Sequence, residues 1–190
     1  MKNVWIVVGC VVIAVIVAAL FVVLSKNRLI RLDETVNENW SQIENQLQRR
    51  ADLIPNLVNT VKGYAKHEEK IFTELAAARS RLLSASGPQQ KAEAEAGLNG
   101  ALGRLLAVAE NYPTLKADSS FLRLQDELAG TENRIAVARM NYNRAAKEFN
   151  YAIRSFPGSL FAAGLELKKR EYFEAPKGRQ AVEQVPDVKF

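Results

Sequence analysis

SSFLRLQDELAGTENRIAVARMNYNRAAKEFNYAIRSF, residues 119–156, decides the fold. Apolar or small side chains recur at Phe121, Leu124, Leu128, Thr131, Ile135, Ala138, Tyr142, Ala145, Phe149, Ala152 and Phe156, in alternating steps of three and four. Such a heptad seam, held for five repeats, predicts one long helix whose single stripe is buried against other helices. Pro157-Gly158 stops it. Gln125, Glu132 and Arg139 flank the seam on one side and Glu127, Arg134 and Glu148 on the other, as interhelical pairing requires.

A second seam lies upstream. Val36, Ile43, Leu57 and Tyr64 form one row, and Trp40, Leu47, Ile54 and Val61 its neighbour. Pro55 cannot donate to Ala51, so a kink or short interruption is expected near residues 51–54. Arg50 falls on the apolar row. Either it pairs with an acidic residue of the long helix, Glu127 or Glu132, or the kink swings it outward. Two shorter helices follow, from Glu68 to Leu83 and from Lys91 to Asn111, separated by Ser86-Gly87-Pro88 and ended by Tyr112-Pro113. Gly97, Gly100 and Gly103 either weaken the second of these or admit a neighbouring backbone. No alternating strand pattern appears. The expected fold is all-α, an antiparallel four-helix bundle over residues 25–175, with an amphipathic segment after Pro157 and an irregular tail at 176–190.

Upstream of the bundle, residues 4–24 (VWIVVGCVVIAVIVAALFVVL) carry no charged side chain over 21 positions, and fifteen of these are Val, Ile, Leu or Phe. As a helix the run is about 31 Å long, the thickness of a bilayer's hydrocarbon core. Residues 1–24 therefore read as a transmembrane anchor. The run is too long for a signal peptide and is followed by Ser25-Lys26-Asn27-Arg28, which offers no cleavage site. Val7-Val8-Gly9-Cys10 resembles a lipoprotein cleavage box, but such a box closes an apolar run and this one sits inside it. Cys10, the single cysteine, permits no intramolecular disulfide. Lys26, Arg28 and Arg31 follow the span against Lys2 before it, a bias that places the C-terminal body in the cytoplasm. Cys10, Ala14 and Ala18 put small side chains at four-residue spacing, where membrane helices approach closely.

Composition excludes most chemistry. The net charge of +5 reads as spread along the chain in mixed-sign helical faces, without the basic face or motif of a nucleic-acid binder. The one histidine, His67, lacks the second ligands of a di-iron or zinc site, and no nucleophile elbow or phosphate loop accompanies it. No cofactor and no enzymatic activity are expected.

Several segments match a family pattern. These are Arg49-Arg50-x-Asp52-Leu53-Ile54-Pro55-Asn56-Leu57-Val58, Tyr112-Pro113-x-Leu115-Lys116-Ala117, and Leu124-Gln125-x-Glu127-Leu128-x-Gly130-Thr131-Glu132-Asn133-Arg134-Ile135-Ala136-Val137-Ala138-Arg139. Tyr142-Asn143, Asn150, Phe156-Pro157 and Tyr172-Phe173-Glu174 complete it, and the chain resembles LemA family proteins over about residues 29–175. The resemblance implies a bacterial single-pass membrane protein with a helical-bundle domain. It also implies a relative involved in building internal membranes, and a membrane metalloprotease as a neighbour. Two functions follow as expectations. One is a structural protein of the inner membrane that forms homo-oligomers and organises or bends the bilayer, its bundles held on a helical stalk about 43 Å long. The other is an adaptor for a membrane protease or envelope-stress system.

Overall fold

In the computed structural model, which describes residues 2–65 and 67–174, the chain is all-α. Six α-helices follow in order: α1 (Lys2–Lys62), α2 (Glu69–Ser84), α3 (Gly87–Ala109), α4 (Pro113–Lys116), α5 (Ser119–Arg154) and α6 (Gly158–Ala162). A 3-10 turn (Ala163–Leu165) comes after α6. Two compact units emerge among the described residues, one from residues 2–38 and 144–170, the other from residues 39–143 and 171–174. The tail expected at 176–190 lies outside the described residues.

The larger unit is the antiparallel four-helix bundle. Ile43, Leu47, Ile54, Leu57 and Val61 of α1 are buried with Leu75 and Leu82 of α2 and with Leu98, Leu102 and Leu105 of α3. From α5 come Phe121, Leu128, Thr131, Ile135, Ala138 and Tyr142, so the heptad seam is the core. The Thr131 hydroxyl donates to the Leu128 carbonyl at 2.8 Å, which lets a polar residue occupy a seam position. Tyr64 departs from its expected row. It is exposed, and its hydroxyl donates to Asp118 Oδ2 at 2.9 Å.

No interruption occurs at residues 51–54, and α1 continues through Pro55. Proline removes the donor for the buried Ala51 carbonyl, but Arg79 of α2 replaces it, Nε donating to that oxygen at 2.8 Å. Helix α3 begins four residues before the expected Lys91. Gly87 adopts φ +75° and Pro88 sits in the first turn, where its missing N–H has no partner to lose. Lys91 is buried there, its ammonium donating to the Leu82 carbonyl at 3.0 Å near the end of α2. Neither Gly97, Gly100 nor Gly103 admits a neighbouring backbone; only the Arg104 side chain comes within 4 Å of a Cβ built at Gly100.

In the smaller unit, Leu29 and Val36 of α1 are buried, as are Ala145, Ala146, Phe149 and Asn150 of α5. Helix α5 ends at Arg154, two residues short of Phe156, because Pro157 cannot extend it. Phe156 is consequently exposed, not part of the seam. The close backbone approach lies at Gly158, where an added Cβ would stand 2.1 Å from the Ala152 carbonyl oxygen. The segment after Pro157 is helical only to Leu165. Beyond it the chain is fastened by Asn150, whose Nδ2 donates to the Arg170 carbonyl at 2.8 Å while its Oδ1 accepts the Arg170 N–H at 2.8 Å. The Arg170 guanidinium in turn binds Asp33 Oδ1 at 2.8 and 3.2 Å.

The N-terminal part of α1 is long and apolar enough to cross a membrane, and none of its most apolar 18-residue window is buried.

Candidate functional site

Two groups of residues are candidates, a charged set inside the bundle and a small-residue face on α1. Arg50 is only 6% exposed, and its Nη1 pairs with the Glu132 carboxylate while standing 3.8 Å from Glu95 Oε1. Glu95, 1% exposed, gives its other oxygen to Arg139 Nη2. Two arginines and two glutamates from α1, α3 and α5 thus form one formally neutral set. Glu127 is outside it and forms no ion pair among the described residues, because it lies on the opposite edge of the α5 seam from Glu132 and Arg139. Burial, and secondly the charge of Arg50, lower the Arg139 pKa from its usual value.

Aromatic packing closes one side of the set. The Arg139 guanidinium lies 4.7 Å from the Phe173 ring centroid, and Trp40 packs between Tyr142 and Phe173 with centroid distances of 5.4 and 6.3 Å. Asn143 fastens Phe173 as Asn150 fastens Arg170. Its Nδ2 donates to the Phe173 carbonyl at 3.0 Å and its Oδ1 accepts the Phe173 N–H at 2.8 Å. The Tyr142 hydroxyl donates to the Glu171 carbonyl at 2.8 Å. A glutamate almost without exposed surface offers nothing for a substrate to touch. Chemically the set is a clasp that fixes the register of three helices, because a shifted helix would strand a buried charge.

Cys10, Ala14 and Ala18 are all exposed on α1, on one face of the helix. His67 is an exposed residue of the turn before α2. Among the described residues, no group of three or more His, Cys, Asp or Glu side chains is placed to hold a metal ion.

The LemA family model matches residues 39–190. The chain belongs to the LemA family. It is 30% identical over 179 residues to magnetosome protein MamQ 2 of Paramagnetospirillum magneticum, covering 80% of this chain and 66% of that protein. Magnetosome protein MamQ of Magnetospirillum gryphiswaldense is 29% identical with the same coverage. Protein LemA of Metamycoplasma hominis is 26% identical over 151 residues, or 79% of this chain and 69% of the relative. The chain therefore spans slightly under two thirds of the MamQ proteins' length, and none of these names denotes an enzyme.

Glu95 of the clasp, and Asp118 and Arg79 outside it, escaped sequence reasoning. Glu95 carried a readable signal, since it continues the row Ala92, Leu98, Leu102 and Leu105 at steps of three and four. Asp118 was legible too. It precedes α5, and its Oδ1 accepts the N–H groups of Ser120 and Phe121 at 2.8 and 3.0 Å, the arrangement of an aspartate N-cap. Arg79 carried none, because only the folded bundle brings it to Ala51.

Proposed function

We propose that this LemA-family chain is a membrane-anchored, non-enzymatic structural protein that self-associates and organises or bends the bacterial inner membrane. The observation that carries the reading is α1. None of its most apolar 18-residue window is buried among the described residues, so a bilayer is the environment that satisfies it. That stretch is the N-terminal part of a single helix, Lys2–Lys62. The relatives' names place MamQ in magnetosomes, which supports a membrane role here. Self-association is supported by the uncovered face at Cys10, Ala14 and Ala18. A further support is the exposed pair Val137 and Met140, one turn apart on α5. A repeated contact between anchored subunits that meet at a constant angle forces the membrane beneath them to curve. In this reading the body lies in the cytoplasm, held there by Lys26, Arg28 and Arg31.

Velocity sedimentation of the full chain extracted in mild detergent tests the proposal. A species several times the protomer mass is expected. A protomer-sized species overturns self-association and favours the adaptor for a membrane metalloprotease.

A further inference from the structure

The end of α5 and the start of α6 make a corner that the membrane reading leaves unexplained. Among the described residues beyond Leu24, the three most exposed large apolar side chains are Phe156 (74%), Tyr151 (73%) and Leu160 (66%). All three fall within ten residues of one another, which is more than scattered surface apolarity provides.

Their position along α1 is fixed by contacts within the smaller unit. The Phe156 ring lies 6.3 Å from the ring of Phe21, centroid to centroid. Phe21 belongs to the charge-free run and stands three residues before its end at Leu24, about 4.5 Å inside it along the helix. An open cleft of about 500 Å³ separates the corner from α1, with Phe21, Leu24 and Phe156 as apolar lining and Ser25, Arg28 and Ser155 as polar lining. Arg28 is exposed and forms no ion pair among the described residues. Gly158 holds the corner against α1, because any side chain there would collide with the Ala152 carbonyl and press on Leu29.

Charge is distributed to match. Among the described residues, the net positive charge falls in the unit that contains the span, where ten Lys and Arg stand against five Asp and Glu; the other unit carries twelve against fourteen. The even spread expected from the sequence therefore does not describe the folded chain. An excess of this sign suits the anionic headgroups of a membrane surface.

We propose that the corner from Tyr151 to Leu160 is a second membrane contact, seated in the interface of the bilayer that α1 crosses, with a phospholipid in the cleft. Its acyl chains lie along Phe21, Leu24 and Phe156, and its phosphate faces Arg28. Tyr151, with an apolar ring and a polar tip, suits the headgroup level. Two points of attachment fix the angle of the unit to the bilayer, where a lone span leaves it free to tilt. The inference rests on the span proposed above.

The test is nitroxide depth measurement on the full chain in nanodiscs of phosphatidylcholine and phosphatidylglycerol. In a Cys10→Ser background, single cysteines replace Phe156, Val15 as the lipid reference, or Glu93 as the water reference. All three positions are exposed, so labelling leaves the fold intact. The label at 156 is expected to relax with dissolved oxygen, as at 15, and to be shielded from an aqueous nickel chelate that reaches 93. A water-like label at 156 beside a lipid-like one at 15 overturns the second contact and leaves the anchor standing. Water-like labels at both overturn the anchor and the inference together.

Discussion

Arg79→Met isolates how α1 survives a proline in its middle. The substitution keeps most of the aliphatic stem and removes the guanidinium that donates to the Ala51 carbonyl at 2.8 Å. Ala51 is fully buried, so its oxygen loses its donor without gaining water. An orphaned buried acceptor costs about 1–3 kcal/mol. The accompanying ion pair of Arg79 with Asp52, at 3.8 Å and with Asp52 57% exposed, adds between about 0 and 1 kcal/mol. A loss of about 2 kcal/mol is therefore expected. Its origin is distinguishable in a double-mutant cycle with Pro55→Ala, which restores a backbone N–H to the Ala51 carbonyl. In that background Arg79→Met is expected to cost less than about 1 kcal/mol, leaving a coupling of about 1 kcal/mol or more. Pro55→Ala alone is expected to stabilise, because proline inside a helix is disfavoured by about 3 kcal/mol against alanine. The assay is denaturant unfolding of the detergent-solubilised chain, followed by circular dichroism. Equal costs of Arg79→Met in both backgrounds would refute the capping argument.

Four other outcomes follow. Glu95→Ala is expected to cost about 3–5 kcal/mol in the same assay, because it leaves Arg50 and Arg139 without their shared buried partner. Phe149→Ala is expected to cost about 3–5 kcal/mol, and Lys147→Ala, exposed on the same helix, less than about 0.5 kcal/mol. Asn150→Asp removes the donor to the Arg170 carbonyl and sets a negative charge against it, so the amides near residue 170 are expected to lose protection in hydrogen exchange. Asp118, whose pKa is lowered chiefly by the Phe121 N–H and then by the Tyr64 hydroxyl, contributes stability at pH values above the unfolded carboxylate's pKa. That stability is lost as pH falls through the lower folded value, so Asp118→Asn, which keeps the acceptor but does not titrate, is expected to flatten the acid limb of stability against pH.

What the sequence disclosed was periodic. The α5 seam from Phe121 to Phe149 and the α1 rows at Ile43, Leu47, Ile54, Leu57 and Val61 were readable because each helical residue's face follows from its number alone. The same logic put Arg50 on an apolar row. Glu95 was as periodic, yet a glutamate among alanines reads as a surface residue until its two arginines are known. Non-local chemistry was closed to sequence reasoning. The Arg79 donation to Ala51 joins residues 28 apart and depends on how α2 packs. The asparagine clips at Asn143 and Asn150 hold irregular chain that has no period of its own. The seam's spacing overruns the helix at Phe156, continuing for two residues after α5 stops at Arg154. There the proline that follows dominates over the pattern before it.

The central claim, a self-associating membrane-anchored scaffold, is met most directly by crosslinking through Cys10 in native membranes. Cys10 is exposed on the small-residue face of α1 and is the chain's single cysteine, so any crosslink it forms with another copy reports helix-to-helix contact inside the bilayer. A dimer band is expected in membranes at native density, one that disappears with Cys10→Ser and persists when unlabelled membranes dilute the sample. A monomer alone, in membranes where larger assemblies are also absent on sizing in mild detergent, would contradict it.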